Sequence, residues 1–235
     1  MQASNRTINI ALAVITAIAI LGMFSGSNEP IIDFLKGTKA EGILYSLHTG
    51  NEIIFSLSGG FLVSLFLWFL VVKLPASRKR KILKNNLAKQ YQHFREDTVA
   101  ILLCASGSYN YELQQRLCDY QEFKRYFNEN NKSEWYAVLN GLQGNKGHLN
   151  DLLVEIELLA NEIHYILNNI DIDDDKVHSF LKNLSTHLYR LKNTSVYTDE
   201  NVRPLGNFVW EIFAQWSLID GQRKEDIVQK MIDQI

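Results

Sequence analysis

The run IIFSLSGGFLVSLFLWFLVV, Ile53–Val72, decides how this chain is built. It holds 20 residues without a charge and ends at Lys73. A helix rising about 1.5 Å per residue needs roughly 20 apolar residues to cross the hydrocarbon core of a bilayer. The run therefore predicts a membrane-spanning helix. Upstream, Thr7–Asn28 is also uncharged, and Ile8–Phe24 is almost wholly apolar. This predicts a second, slightly shorter span. The same stretch fits a signal peptide, with Arg6 as its basic region and Ser25-Gly26-Ser27 as its cleavage site, although its apolar part is long for that use.

Charge then orients the anchor. Lys73–Lys89 carries seven positive charges, and the loop at 25–52 carries two, Lys36 and Lys39, with a net charge of −2. Positive flanks stay in the cytoplasm. Residues 73–235 are thus expected inside, the loop outside, and, with two spans, the N-terminus inside as well. The expected organisation is a membrane anchor at 1–74 with spans at about 8–24 and 53–72, a basic segment at 75–89, and a cytoplasmic helical domain at 90–235. The expected fold class is all-α, two transmembrane helices with a cytoplasmic helical bundle.

Composition excludes several classes. Mean hydropathy is near zero only because two apolar runs offset a polar remainder. Residues 75–89 bear six positive charges and no negative one, whereas residues 90–235 have a net charge of −8. A general nucleic-acid binder would instead spread a basic face over its fold. Both cysteines, Cys104 and Cys118, fall in the part expected in the reducing cytoplasm, where free thiols are the ordinary state. Neither span contains Asp, Glu, Lys, Arg or His, which argues against proton or ion transport by a monomer.

Ser56, Gly60 and Ser64 recur every four residues in the second run, with Gly59 beside them. Small residues at that spacing share one helix face and admit a second backbone. The face serves either packing of the two spans within one chain or homo-oligomerisation; Ala13 and Ala17 are a weaker counterpart in the first run. Arg78, Lys79, Arg80 and Lys81 fix topology and suit anionic headgroups, at about 1 kcal/mol per basic residue near the surface.

After Pro75, Leu83, Leu87, Tyr91, Phe94, Thr98 and Ile101 recur at threes and fours to about Ser106, and Gly107 ends the pattern. A short break is expected between the span and this stem. Short helices follow at Asp119–Phe127 and Glu134–Leu142, the second capped by Ser133, and then a turn at Gly144–Gly147. Leu149, Leu152, Ile156, Leu159, Ile163, Ile166 and Ile170 form one apolar seam, and Val177, Leu181, Leu184, Leu188 and Leu191 another. Two such helices joined by a short connection predict an antiparallel αα-hairpin. Helices at Pro204–Leu218 and Glu225–Ile235 complete the domain.

No catalytic, cofactor or metal residues emerge, no enzyme activity is expected, and no small-molecule substrate is evident. Asp171, Asp173 and Asp175 match the first ligand positions of a calcium loop, but Lys176 and Lys182 stand where glycine and a bidentate glutamate are needed. The six histidines show no zinc spacing, and His164 beside the first seam reads as partly buried. Tyr109, Tyr111 and Tyr120 interleave with Arg116 and Arg125, a composition enriched at recognition surfaces and also found at half-buried bundle corners.

The layout of Ile8–Phe24, Ile53–Val72, the Arg78–Lys81 stop signal and a helical cytoplasmic domain resembles the two-transmembrane effectors of bacterial retron antiviral defence systems. The resemblance is one of architecture and size, so no functional residue is carried over. It implies an inner-membrane effector held silent by partners, a reverse transcriptase with its RNA–DNA product. Released on phage infection, the effector disrupts membrane integrity, an abortive infection. The alternative is a membrane-tethered scaffold without membrane-damaging activity.

Overall fold

A computed structural model describes residues 2–28, 37–38, 40–129, 132–197, 202–217, 221–223 and 225–235. Lys36 and Lys39, counted above in the charge of the loop, lie outside these residues. The chain divides into two compact units, Met1–Lys79 and Arg80–Ile235.

In the first unit, α1 (Gln2–Gly26) is followed by the short α2 (Ala40–Ser46) and by α3 (Glu52–Trp68). Asn51 starts α3: its backbone is extended, and its side-chain oxygen accepts from the N–H groups of Ile53 and Ile54 at 3.0 and 3.4 Å. That satisfies two of the donors a helix N-terminus leaves unpaired. No residue of α3 is buried.

The break expected before Pro75 does not occur. A π turn at Phe69–Lys73 leads straight into α4 (Leu74–Ser106). Proline lacks an N–H and crowds the carbonyl four residues back, here that of Val71. The wider turn, in which the Leu74 N–H reaches the Phe69 carbonyl, relieves that crowding. Helix therefore runs from Glu52 to Ser106, and its apolar part is long enough to cross a membrane. Ile10–Gly26 is a shorter apolar helix.

α4 ends where the sequence predicts. Gly107 has φ +74, and the Ser108 and Gly107 N–H groups turn back to the carbonyls of Leu103 and Cys104 at 2.9 and 3.1 Å. This is a Schellman closure, which favours glycine because a side chain strains that backbone.

The second unit comprises α4 from Arg80 onward, α5 (Tyr111–Leu117), α6 (Tyr120–Lys124), α7 (Lys132–Gly144), α8 (Lys146–Asn169), α9 (Asp175–Tyr197), α10 (Val202–Phe213) and α11 (Ile227–Asp233). The two apolar seams face each other. Leu152, Ile156, Leu159, Ile163 and Ile166 of α8, and Val177, Leu181, Leu188 and Leu191 of α9, are all core residues. Three polar contacts set the antiparallel register: Ser185 to the Ala160 carbonyl, Tyr189 to Asn161, and Lys192 to Glu157. Asp174 caps α9 by accepting from the Lys176 and Val177 N–H groups, which is the use made of the acidic turn between the two helices.

An aromatic cluster closes the other half of the core. Phe123 stacks within 4.8–6.2 Å of Phe127, Trp135, Trp210 and Phe213, and Phe94 lies 5.9 Å from Phe213. Such tilted pairs add to the burial of large apolar area.

Several expectations are corrected. Asp119 caps α6 rather than opening it, and a π turn at Arg125–Glu129 follows. Ser133 lies inside α7, one residue after its first residue, Lys132. The Pro204–Leu218 helix stops at Phe213: Gln215 has φ +51, and the chain then forms a two-residue antiparallel hairpin, Trp216–Ser217 (β1) with Gly221–Gln222 (β2). Leu218 lies outside the described residues. His164 is exposed, because it falls on the face of α8 turned away from the seam.

Candidate functional site

The first unit is built on an antiparallel helix pair, and glycine decides where its helices touch. α1 turns Leu12, Thr16, Ala19, Gly22 and Gly26 inward; Ala19 and Gly26 are buried. A Cβ on Gly22 would fall 2.5 Å from Ser58 Oγ, and one on Gly26 only 2.6 Å from the Asn51 carbonyl and the Phe55 amide. The two backbones approach as closely as glycine allows. The contact closes at the loop, where the Ser25 carbonyl accepts from the Thr49 and Gly50 N–H groups at 2.8 and 3.0 Å.

Ser56, Gly60 and Ser64 do not make this contact. All three are exposed, and a Cβ on Gly59 or Gly60 would meet nothing within 4 Å. The residues of α3 and its cap that meet Gly22 and Gly26 are instead Ile54, Ser58, Asn51 and Phe55, and Ser58, Phe61, Leu62 and Leu65 are half-buried. Intrachain packing by the Ser56–Gly60–Ser64 stripe is thereby corrected, as is the counterpart role of Ala13 and Ala17, which are also exposed. The pair in use, Gly22-Met-Phe-Ser-Gly26, is a GxxxG spacing legible in the sequence. Gly26 also falls in Ser25-Gly26-Ser27, which reads as a signal-peptide cleavage site. Within the open stripe, Ser64 Oγ donates to the Gly60 carbonyl at 2.8 Å. Thr16 Oγ1 donates in the same way to Leu12 at 2.7 Å.

The basic residues separate into two groups. Arg78 and Lys81 are exposed beside the exposed Ile82, and Lys79 is exposed as well. Arg80 is engaged inside its own unit: Nε donates to the Ile235 carbonyl at 2.6 Å and NH1 pairs with Asp173 at 3.0 Å. Lys84 likewise reaches the Asp233 carbonyl. Arg80 is therefore a structural clamp on the end of α11 rather than a headgroup ligand, and Asp173 is its counter-charge.

About two to three turns further along α4, the same C-terminal helix is held by a part-buried polar network. Asp226 caps α11 by accepting from the Val228 and Gln229 N–H groups at 3.0 and 3.1 Å. It also accepts from Tyr91 OH at 2.8 Å and from Arg95 at 2.8 Å. Arg95 donates in addition to the Cys118 carbonyl, and its guanidinium lies 5.9 Å from the Phe213 ring. Burial, and then the Asp226 charge, push the Tyr91 hydroxyl well above its ordinary pKa. Burial likewise pushes the Cys118 thiol up, which keeps it protonated and unreactive. A part-buried ion pair with this many partners fixes the geometry of the chain around it.

Next to this network, which Arg95 joins to the Cys118 carbonyl, the tyrosine–arginine surface divides in the same way. Arg116 and Arg125 meet on one carboxylate, Glu122, at 2.9 and 2.5 Å, and the Arg116 bond draws the Glu122 pKa down. Tyr109 and Tyr111 are among the most exposed aromatics of the bundle, at 52% and 67%, whereas Tyr120 is half-buried and bonded to Gln121. Among the described residues, no group of three or more His, Cys, Asp or Glu side chains is placed to hold a metal ion. No protein family, curated protein or solved structure matches the chain.

Proposed function

We propose that this chain is a two-span inner-membrane effector with both termini in the cytoplasm, and that it breaches the bilayer once a protein partner releases it. The supporting observation is the helix pair itself. α3 is apolar along its length, buries none of its residues against the rest of the chain, and exposes Ile53 and Leu57 at 78% and 76%. Exposed apolar surface on that scale is costly in water and favourable in lipid. With α1 seated at Gly22 and Gly26, the Ser56–Gly60–Ser64 stripe remains open on the outer side of the pair. A second copy can approach there without dismantling the pair. Assembly through that stripe is the step that turns an anchor into a membrane-damaging structure. Antiphage defence is the setting the two-span layout resembles.

The test is expression with the neighbouring genes under phage challenge, with a membrane-potential dye as readout. The active chain should depolarise infected cells. Gly60→Ile adds bulk where nothing lies within 4 Å, so it should insert normally and abolish depolarisation. Phe66→Leu, exposed and off the stripe, should behave like the parent. If the parent never depolarises a cell under challenge, the effector reading fails. The exposed Tyr109, Tyr111, Arg116 and Arg125 favour a second reading in that event, a membrane-tethered scaffold that recruits a protein through this surface.

A further inference from the structure

We propose that a shallow groove along the outer face of α8, beside Gln90 of α4, docks a basic amphipathic helix from a partner protein. Val154, Leu158 and Tyr165 stand at i, i+4 and i+11 on α8, so they form one stripe along the helix. They are 51%, 46% and 50% exposed, which is unusual for large apolar residues on a helix whose other face is fully in the core. Leu158, Glu162 and Tyr165, with Gln90 of α4, help line an open cavity of about 490 Å³. The rest of that lining, Asn161, His164, Asn168 and Asn169, is polar and also belongs to α8, so the surface is one helix face with an apolar stripe, against which another helix can pack.

Charge names the occupant. Asp151, Glu155 and Glu162 on α8 and Asp97 on α4 border the stripe, and among the described residues none of the four is in an ion pair. Glu155 shows the consequence: its own burial, then Asp97 and Asp151, push its carboxyl up, against a smaller opposing pull from His93. Glu162 is raised by burial alone. A helix with lysines or arginines flanking an apolar face would cover the stripe and neutralise its rim together. The chain's own basic run does not serve. Its Leu83 and Leu87 are buried in the bundle, and its Arg80 and Lys84 are bonded to α11 and Asp173. The inference stands under either functional reading.

The full chain is placed in nanodiscs of zwitterionic lipid, with empty discs as the blank. The probe is a fluorescent Leu/Lys peptide of about five helical turns, with its leucines on one face, followed by anisotropy. A scrambled peptide of the same composition is the comparison. Binding above the blank is expected for the amphipathic peptide and not for the scrambled one. Glu155→Lys with Glu162→Lys should weaken it about tenfold, and Leu158→Ser should also weaken it. Glu225→Lys, a charge change away from the groove, should not. Equal binding of both peptides, equal loss with Glu225→Lys, or no signal above the blank overturns the proposal. So does a fall in oligomer mass on reversing Glu155 and Glu162, which would make a second copy the occupant.

Discussion

Gly22 and Gly26 look interchangeable in the sequence, yet the structure gives them different tolerances. The neighbour of a Cβ at Gly22 is the end of a rotatable serine, whereas at Gly26 it is backbone of Asn51 and Phe55. Gly22→Ala should therefore be absorbed by a turn of Ser58. Gly26→Ala must push the helices apart, at about 1–3 kcal/mol. Thermal unfolding of the detergent-solubilised chain should show a lowered midpoint for Gly26→Ala and almost none for Gly22→Ala; equal midpoints would mean that the helices do not meet here. The sequence shows that Ser56, Gly60 and Ser64 share a face, because period alone establishes that. It does not show what the face meets, because that depends on where the partner helix carries its own small residues.

At the scale of elements, the two leucine seams were fully legible, since an apolar period of three and four over 20 or more residues leaves one way to bury itself. Ends were less legible. Pro75 reads as a stop, and only the π turn before it shows how the helix continues. The hairpin after Phe213 depends on a left-handed Gln215 that no propensity indicates. The domain boundary moved for the same kind of reason. Leu83 and Leu87, assigned by charge to a juxtamembrane segment, are 6% and 0% exposed and belong to the bundle core. A fragment starting at Arg80 should therefore melt cooperatively as a helical unit. One starting at Gln90 loses two buried leucines, each worth on the order of 2–5 kcal/mol, and its Tm should fall by at least about 10 °C. Similar melting of the two fragments would contradict the packing of α4 described above.

At the scale of the whole bundle, the C-terminal helix is tied to α4 by contacts that span most of the sequence. Arg95 and Asp226 are 131 residues apart, and no local pattern announces such a pair. The tie carries a pH signature. Tyr91 holds its proton more tightly folded than unfolded, so its contribution is complete below its ordinary value near 10 and is lost as the pH rises beyond that. Between about pH 9 and about pH 11, the parent should lose more of its urea midpoint than Tyr91→Phe does. Parallel losses would show that Tyr91 ionises as freely in the bundle as in the unfolded chain.

The aromatic cluster also makes the bundle visible to light. Trp135 on α7 and Trp210 on α10 lie 5.3 Å apart, centroid to centroid, with their rings inclined by 60°. Indoles that close and that oblique exchange excitation and split each other's absorption into a circular-dichroism couplet. Neither ring produces that couplet alone, so its amplitude reports on the meeting of two helices that are far apart in sequence. A native optical gauge of the bundle is thus present without any label, and it registers the parting of α7 from α10 when the bundle unfolds.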